Sequence, residues 1–202
     1  MSTQTPDTIS KDIQRLCNKV SPGQHPVYVD VTPDSEAAPN QCFPNTAKRV
    51  AESGGCVVHG WQVWEWLDVL VEAEFHGVWQ RPDGSLVDIT PKECPIARIL
   101  FLPDPRRHFE GRQVDNVRLP LTNDPNVIEF IALSEERYRI MNKGDRADQS
   151  GLVRVPRSEI EPLYRRMAEL RPLLDKPSPR RESPCHCGSG RKYRKCCGKP
   201  AA

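Results

Sequence analysis

The chain has 202 residues, a formal net charge of +2, 20 prolines and 12 glycines. This length suits one domain of ordinary size with an appendage, and the many prolines and glycines argue against a helical bundle. The longest stretch without a charge, residues 53–64, is too short and too polar to span a bilayer. The first residues lack the basic start and apolar core of a signal peptide, so we expect a cytoplasmic protein.

The charge is divided unevenly along the chain. Residues 176–202 contain eight Lys and Arg against one acidic residue, a net +7, while the remainder contains 21 basic and 26 acidic residues, a net −5. A basic segment attached to an acidic body is typical of proteins whose tail contacts an anionic partner. The tail is therefore expected to bind nucleic acid or an acidic protein surface.

The N-terminal half of the chain predicts two helices and four strands. Apolar residues recur at helical spacing within residues 1–20, and a second, short helix at 44–52 ends at Gly54-Gly55. The turn at 82–85 predicts a hairpin between the strands that flank it. The predicted strands are Val27–Val31, Cys56–Trp66, 69–79 and 86–89.

The C-terminal half predicts two further helices and two strands. The first helix begins at Asp124-Pro125, which resembles an N-cap followed by proline at the first helical position, and it runs to about Met141. The second helix begins at a capping box around Ser158, and Pro172 is expected to end it. The predicted strands are 96–102 and 117–121.

Together these elements predict an α+β fold, in which an antiparallel sheet packs against a few helices. Residues 1–174 form the expected body domain. Residues 175–183 are rich in proline and arginine and predict an extended linker. Residues 184–198 then form a small separate module.

Four of the eight cysteines crowd into thirteen residues near the end of the chain. Cysteines this close rarely form good disulfides with one another, and clustered thiols in a reducing compartment are typical of a metal site. Tetrahedral zinc takes four soft ligands on a small, sharply folded loop, and the metal then supplies the folding energy that so small a module lacks. The candidate ligands are Cys185, Cys187, Cys196 and Cys197.

The run Cys-His-Cys-Gly-Ser-Gly-Arg-Lys-Tyr-Arg-Lys-Cys-Cys-Gly at 185–198 closely resembles the SEC-C motif, the zinc-binding tail named after the preprotein translocase ATPase. The resemblance implies zinc (Zn2+) bound by the same four cysteines, with His186 outside the ligand set. It also implies docking on a protein or ribosomal partner, because similar tails contact a chaperone and the ribosome. The basic residues between the cysteines suit such a partner or RNA phosphates, although simple solvation of a small module also explains them.

Cys42, His76 and Asp88 form the candidate catalytic group in the body. Cys42 precedes the predicted helix at 44–52, where the positive end of the helix dipole favours a thiolate and the N–H groups of the first turn can stabilise an oxyanion. His76 and Asp88 lie on the two strands of the predicted hairpin, so the carboxylate can hold the imidazole towards the thiol.

The order of these three residues resembles that of the transglutaminase-like branch of the papain-like thiol enzymes. In that family a cysteine opens a helix, and H-x-W and D-x-T follow. Here residues 76–79 read His-Gly-Val-Trp, with the tryptophan displaced by one position, and residues 88–91 read Asp-Ile-Thr-Pro. The resemblance covers 40–91 and suggests a related core within 40–142. It implies that the three residues act, in chain order, as nucleophile, base and orienting acid.

Two hypotheses of different classes follow. In the first, the body is a cysteine hydrolase or acyltransferase acting on an amide or thioester, and the zinc tail brings it to its target. In the second, the protein is a non-catalytic zinc-binding adaptor or interaction protein, in which Cys42 and His76 are packed core residues and Asp88 braces a turn. A second metal site is a further alternative for the body, without a recognisable ligand spacing, from His59, Glu74, His76 and Asp88.

Overall fold

The structure is a computed structural model of the chain. It describes residues 3–94, 96–149, 153–174, 185, 189–196 and 199. Within these ranges, no helix is both long and apolar enough to cross a membrane. The linker predicted at 175–183 lies outside the described residues.

The described chain contains four α-helices, six strands and two short 3-10 helices. The α-helices are α1 (Lys11–Val20), α2 (Cys42–Ser53), α3 (Pro125–Met141) and α4 (Arg157–Leu174). The strands are β1 (Val27–Val31), β2 (Cys56–Trp66), β3 (Leu70–Gln80), β4 (Leu86–Asp88), β5 (Arg98–Pro103) and β6 (Val117–Pro120). The 3-10 helices are Gly144–Asp148 and Tyr193–Lys195. The order of the elements confirms the α+β prediction.

Five of the strands close into a small barrel. Neighbouring strands run β2-β5-β1-β4-β3, β3 pairs back onto β2, and β6 pairs with β3. Every described pair is antiparallel except β1 with β4, which run parallel and pair Val31 with Asp88. The predicted antiparallel sheet is therefore only partly right. The parallel pair forms because α2 and the β2–β3 hairpin lie between β1 and β4, a segment long enough for the crossover that parallel strands require.

The β2–β3 hairpin has one face inside the barrel and one face outside. Because side chains alternate along a strand, His76 and Val78 share one face of β3 and Phe75 lies on the other. The first face belongs to a buried cluster that contains strand residues alone, as expected for the barrel interior: Val29, Val78, Ile99 and Phe101. The other face packs against α1, through Ile13, Leu16, Trp61, Val63 and Phe75, among others.

A gap along one edge of β3 adjoins the start of α2. β2 occupies one edge of β3 along its whole length. On the other edge, β6 pairs with residues 70–73 and β4 with 79–80, so residues 74–78 have no strand beside them there within the described chain. The Thr46 hydroxyl on α2 lies 3.5 Å from the Gly77 carbonyl oxygen, in this gap. The first turn of α2 therefore lies beside the middle of β3.

α3 begins as the sequence predicts. The Asp124 carboxylate accepts a hydrogen bond from the Asn126 N–H at 2.9 Å, and Pro125 occupies the first turn. Such a cap satisfies an N–H group that has no partner within the helix. The predicted N-cap and the predicted end at Met141 are both confirmed.

α4 corrects two expectations. Ser158 is the second residue of the helix rather than its N-cap, and Pro172 lies inside the helix, which runs on to Leu174. A proline near the end of a helix removes only one N–H bond. Leu170 and Leu174 are buried against α3 and the β2–β3 turn, and this packing holds the last turn in helical form.

Candidate active site

Cys42 is the first residue of α2, two positions before the predicted start. Its side chain is half-buried. The Asn45 N–H donates to the Gln41 carbonyl at 3.0 Å as the first bond of the helix, and Pro44 has no N–H. The N–H groups of Cys42 and Phe43 are therefore the donors that the first turn presents.

His76 and Asp88 lie on adjacent strands and share a hydrogen bond. Because the β3–β4 ladder pairs Trp79 with Val87, Asp88 lies diagonal to His76 rather than opposite it, with both side chains on one face. His76 Nε2 lies 2.9 Å from Asp88 Oδ2. The two residues are 5% and 0% exposed. The carboxylate thus fixes the orientation of the ring and leaves Nδ1 for a second contact.

Cys42 supplies that second contact. Burial lowers the pKa of His76, but the charge of Cys42, with hydrogen bonds from His76 to Asp88 and to Cys42, raises it to about 9. Since Nε2 is bonded to Asp88, Nδ1 is the ring nitrogen left for the Cys42 sulfur. The structure therefore brings the three sequence-predicted residues together around one imidazole.

Asp88 accepts hydrogen bonds from three donors. His76 Nε2 and Lys92 Nζ approach the same oxygen, Oδ2, at 2.9 Å and 2.6 Å. The Thr90 N–H donates to Oδ1 at 2.9 Å. Burial raises the pKa of Asp88, but the hydrogen bonds and charges of His76 and Lys92 outweigh it and lower the pKa to about 2. Asp88 is therefore a carboxylate at neutral pH.

Lys92 contacts this group and Gln62 contacts Lys92, and sequence reasoning does not single out either residue. Lys92 Nζ donates to Gln62 Oε1 at 3.0 Å and lies 3.4 Å from His76 Nε2. Lysines in loops usually extend into solvent, and a glutamine on a strand carries no functional signal. The loop after β4 crosses the interior face of β3. Lys92 reaches Gln62 on β2 only because the loop takes this path.

Aromatic packing holds the start of α2 against the barrel. Phe43, the residue after Cys42, stacks on Phe109 with ring centroids 4.1 Å apart and contacts Phe75 at 5.0 Å. A Cβ atom added at Gly77 would lie 2.9 Å from the Phe43 ring. Gly77 therefore allows α2 to approach β3 closely enough for Cys42 to reach His76.

The alternative metal site in the body receives no support from the geometry. Of its proposed ligands, His59 stacks on Phe43, with centroids 5.7 Å apart, and Glu74 accepts a hydrogen bond from Trp64 Nε1 at 2.8 Å. Burial and the charge of His108 lower the pKa of His59. No group of three or more metal-binding side chains occurs among the described residues.

The described part of the tail forms a tight loop. The Cys185 N–H donates to the Arg191 carbonyl at 2.7 Å, which brings the two arms of the loop together. Gly190 has a φ of 69°, a conformation that glycine adopts readily. The Cys196 N–H donates to the Tyr193 carbonyl at 3.0 Å and closes a single 3-10 turn.

Two of the four predicted zinc ligands lie on this loop. Cys185 is buried, and Cys196 is half-buried with its sulfur 3.2 Å from Ser189 Oγ. Cys187 and Cys197 lie outside the described residues. Cysteine sulfur is a ligand that zinc prefers, so the residue type at both positions fits this metal.

Comparison with known families identifies a motif in the C-terminal segment. Residues 183–199 match the SEC-C motif. The SEC-C motif is usually a zinc-binding module. No curated protein and no solved structure matches the chain. The SEC-C match lies entirely in the tail, and none of these findings supports the resemblance of residues 40–91 to transglutaminase-like enzymes.

Proposed function

We propose that the body is a cysteine-dependent hydrolase or acyltransferase that acts on an amide or a thioester. The observation that carries the proposal is the convergence of Cys42, His76 and Asp88, from α2, β3 and β4, around one buried imidazole. A thiol, an imidazole and a carboxylate in this relation are typical of thiol enzymes. Cys42 is the nucleophile, His76 the base and Asp88 the orienting acid.

The first half-reaction forms an acyl-enzyme. His76 takes the proton of the Cys42 thiol, the sulfur attacks the carbonyl carbon, and the π electron pair moves onto the carbonyl oxygen. The N–H groups of Cys42 and Phe43 stabilise that oxyanion. When the tetrahedral intermediate collapses, the C–N or C–S bond to the leaving group breaks. The His76 imidazolium gives its proton to the departing amine or thiol.

The second half-reaction releases the acyl group. Water, or another acceptor with a free lone pair, attacks the thioester carbonyl while His76 removes its proton. The bond between the carbonyl carbon and the Cys42 sulfur then breaks, and the sulfur recovers the proton from His76. Asp88 remains ionised through both half-reactions and keeps the imidazole in one orientation.

Acyl transfer from a small thioester, S-phenyl thioacetate, tests this function. We expect rapid acetylation of Cys42, detected by peptide mass spectrometry after acid quench, and release of thiophenol over many turnovers. Cys42→Ala should abolish turnover with an unchanged circular dichroism spectrum, and His76→Gln should slow it. The matched control is Cys56→Ala, which removes an exposed thiol at the start of β2 that hydrogen-bonds to Gln80.

Two results would contradict an enzymatic role. One is acetylation of Cys42 no faster than that of the exposed Cys56. The other is turnover that survives in Cys42→Ala. Either result would favour the non-catalytic adaptor.

We propose that the SEC-C segment, residues 183–199, binds zinc (Zn2+). The family match supports this assignment, and the chemistry of the two described thiols, Cys185 and Cys196, fits it. Cys187 and Cys197 would complete a tetrahedral set. Bound zinc would supply the folding energy of a loop that buries little apolar surface.

We propose that the same segment docks on an anionic protein, ribosomal or nucleic-acid partner. Arg191, Arg194 and Lys195 are exposed on the loop beside the proposed metal ligands. Cationic groups close together on a small module suit phosphates or acidic side chains. Since clustered free thiols are typical of a reducing compartment, the proposal places the protein in the cytoplasm.

Zinc analysis of the purified full-length protein tests the metal site. We expect about one zinc per chain by elemental analysis, as four thiolates for one tetrahedral ion imply. Iodoacetamide should label Cys185 and Cys196 only after a chelator is added, and Cys196→Ser should lose the metal. The control Cys56→Ser should retain it. A metal-free protein whose tail cysteines label equally with and without chelator would contradict the assignment.

A further inference from the structure

We propose that Lys92 is a fourth member of the Cys42, His76 and Asp88 group. It is a positioning residue that keeps Asp88 paired and ionised while His76 gains and loses its proton. The role given to Lys92 rests on the proposed function, because it serves the proton transfers of His76 in thiol chemistry. The contacts of Lys92, and the titration that tests its role, do not depend on any substrate.

The position of Lys92 is tightly determined. Its ammonium lies 2.6 Å from Asp88 Oδ2, the oxygen that also contacts His76 Nε2, and 3.0 Å from Gln62 Oε1. The side chain is 12% exposed, which is low for a lysine, a residue type that is almost never buried unless it is paired. The ammonium is therefore a fixed part of the group rather than a solvated charge near it.

Gln62 supports this interpretation. It is 1% exposed, and its Nε2 atom is buried without a hydrogen-bond partner among the described residues, whereas its Oε1 accepts from Lys92. A buried amide hydrogen without an acceptor costs stability. The fold tolerates that cost at the position that holds the ammonium of Lys92.

A buried carboxylate explains what the ammonium does. Asp88 is 0% exposed, and an unpaired buried charge is strongly disfavoured. When His76 is an imidazolium, it neutralises Asp88. When His76 passes its proton to a leaving group, that partner is lost, and Lys92 remains as the counter-ion. The carboxylate then stays ionised and keeps its hydrogen bond to the ring in both states.

Lys92 also opposes protonation of His76. Among the described residues, the ionisable groups in contact with the imidazole are Cys42 from α2, Asp88 from β4 and Lys92 from the following loop. Glu74 lies on the same strand face, but its carboxylate accepts a hydrogen bond from Trp64. Cys42 and Asp88 favour the imidazolium, and a cation 3.4 Å from Nε2 disfavours it. Lys92 thus eases the transfer of the proton from His76 to the leaving group.

Ring titration of His76 by NMR on the full-length protein tests the inference. The chain has five histidines, so His76→Gln assigns the signal. We expect Lys92→Met to raise the titration midpoint of His76 by about one pH unit or more, because a like charge within ion-pair distance is removed. Lys92→Arg should restore the wild-type midpoint. The matched control Lys48→Met removes an exposed lysine of α2 and should leave the midpoint unchanged.

An unchanged or lowered midpoint in folded Lys92→Met would overturn the inference, since a purely structural role alters thermal stability but not this titration. If Lys92→Met does not fold, the His76 midpoint is measured in Gln62→Met instead. That substitution releases the ammonium from its second anchor and should give a smaller rise, and no rise would overturn the inference. Iodoacetamide labelling of wild-type Cys42 is a separate readout: failure of the thiol chemistry appears there, whereas failure of the Lys92 role appears in the His76 midpoint.

Discussion

Each residue of the candidate catalytic group takes its properties from a different part of the fold. Cys42 stands at the positive end of α2, His76 is buried on β3, and Asp88 ends β4 with no exposed surface. Desolvation strengthens every charge interaction among them. The raised pKa of His76 and the lowered pKa of Asp88 are the two signatures of that coupling.

The thiol contributes to the basicity of His76. The charge and hydrogen bond of Cys42 help to raise the pKa of His76 to about 9, so the NMR titration midpoint of His76 should fall in Cys42→Ala. Asp88→Asn should also lower it. The control Cys56→Ala removes an exposed thiol bonded to Gln80 and should leave the midpoint unchanged. If the titration midpoint of His76 is the same in Cys42→Ala as in the wild type, the two side chains do not interact.

Asp88 makes the stability of the body depend on acid pH. Because its pKa is lowered from 3.8 to about 2, its contribution is fully present above pH 3.8 and is lost as the pH falls through 2. The contribution is on the order of 2 kcal/mol. Urea unfolding at pH 5 and pH 2.5 should therefore show a smaller loss of stability in Asp88→Asn than in the wild type. Equal losses would contradict the assigned charge pairing.

Local patterns predict only part of this group. The position of Cys42 before a helix and the hairpin that carries His76 and Asp88 are visible in the sequence, because capping and turn signals are local. Lys92 and Gln62 are not visible, because they join the group through the path of a loop across the sheet. Such a path depends on the packing of the whole barrel.

At the scale of secondary-structure elements, the gap along β3 determines where α2 can approach. β4 and β6 occupy the ends of one edge and leave residues 74–78 for the helix. The strands and the hairpin follow from alternation and turn residues in the sequence. The gap, the barrel closure and the parallel β1–β4 pair do not, because they depend on the relative lengths and registers of strands that are distant in sequence.

The close approach of α2 depends on Gly77. In Gly77→Ala the new methyl group would meet the Phe43 ring at 2.9 Å and displace the first turn of α2. We expect iodoacetamide labelling of Cys42 at neutral pH to slow by about tenfold to a hundredfold, because a small displacement breaks the alignment with His76. The cost in folding free energy should be about 1–3 kcal/mol.

The control for this effect is Ala51→Ser, at an exposed position of the same helix. It should leave the labelling rate unchanged and lower stability by only about 0.5 kcal/mol, because serine is a weaker helix former than alanine. An unchanged labelling rate in folded Gly77→Ala would show that α2 does not require the close contact.

The α3–α4 pair stabilises the body at a distance from the group. Leu170 is 0% exposed in a cluster with Trp66 and Phe130. Leu170→Ala should lower the free energy of unfolding by about 2–5 kcal/mol, measured with urea. Where the variant is fully folded, the labelling rate of Cys42 should stay at the wild-type value. A parallel loss of labelling would show that these helices support the site.

At the scale of the whole molecule, the chain combines an acidic body with a basic segment that matches the SEC-C motif. The motif is evident from its spacing alone, since its ligands and glycines lie within fifteen residues. The body offers no comparable run, because its candidate residues are separated by tens of positions and only the barrel unites them. The proposal for the body therefore rests on geometry, and the proposal for the tail rests on the motif.

The measurement that tests the central claim most directly is iodoacetamide labelling of the native protein across pH, with each cysteine followed by mass spectrometry. Cys42 should label ahead of the exposed Cys56 at neutral pH, because His76 lies in position to take the proton of its thiol. Cys17 should remain slow, because burial raises its pKa to about 11. If Cys42 is inert, or follows the same pH curve as Cys56, its pairing with His76 does not activate the thiol and the body is not a thiol enzyme.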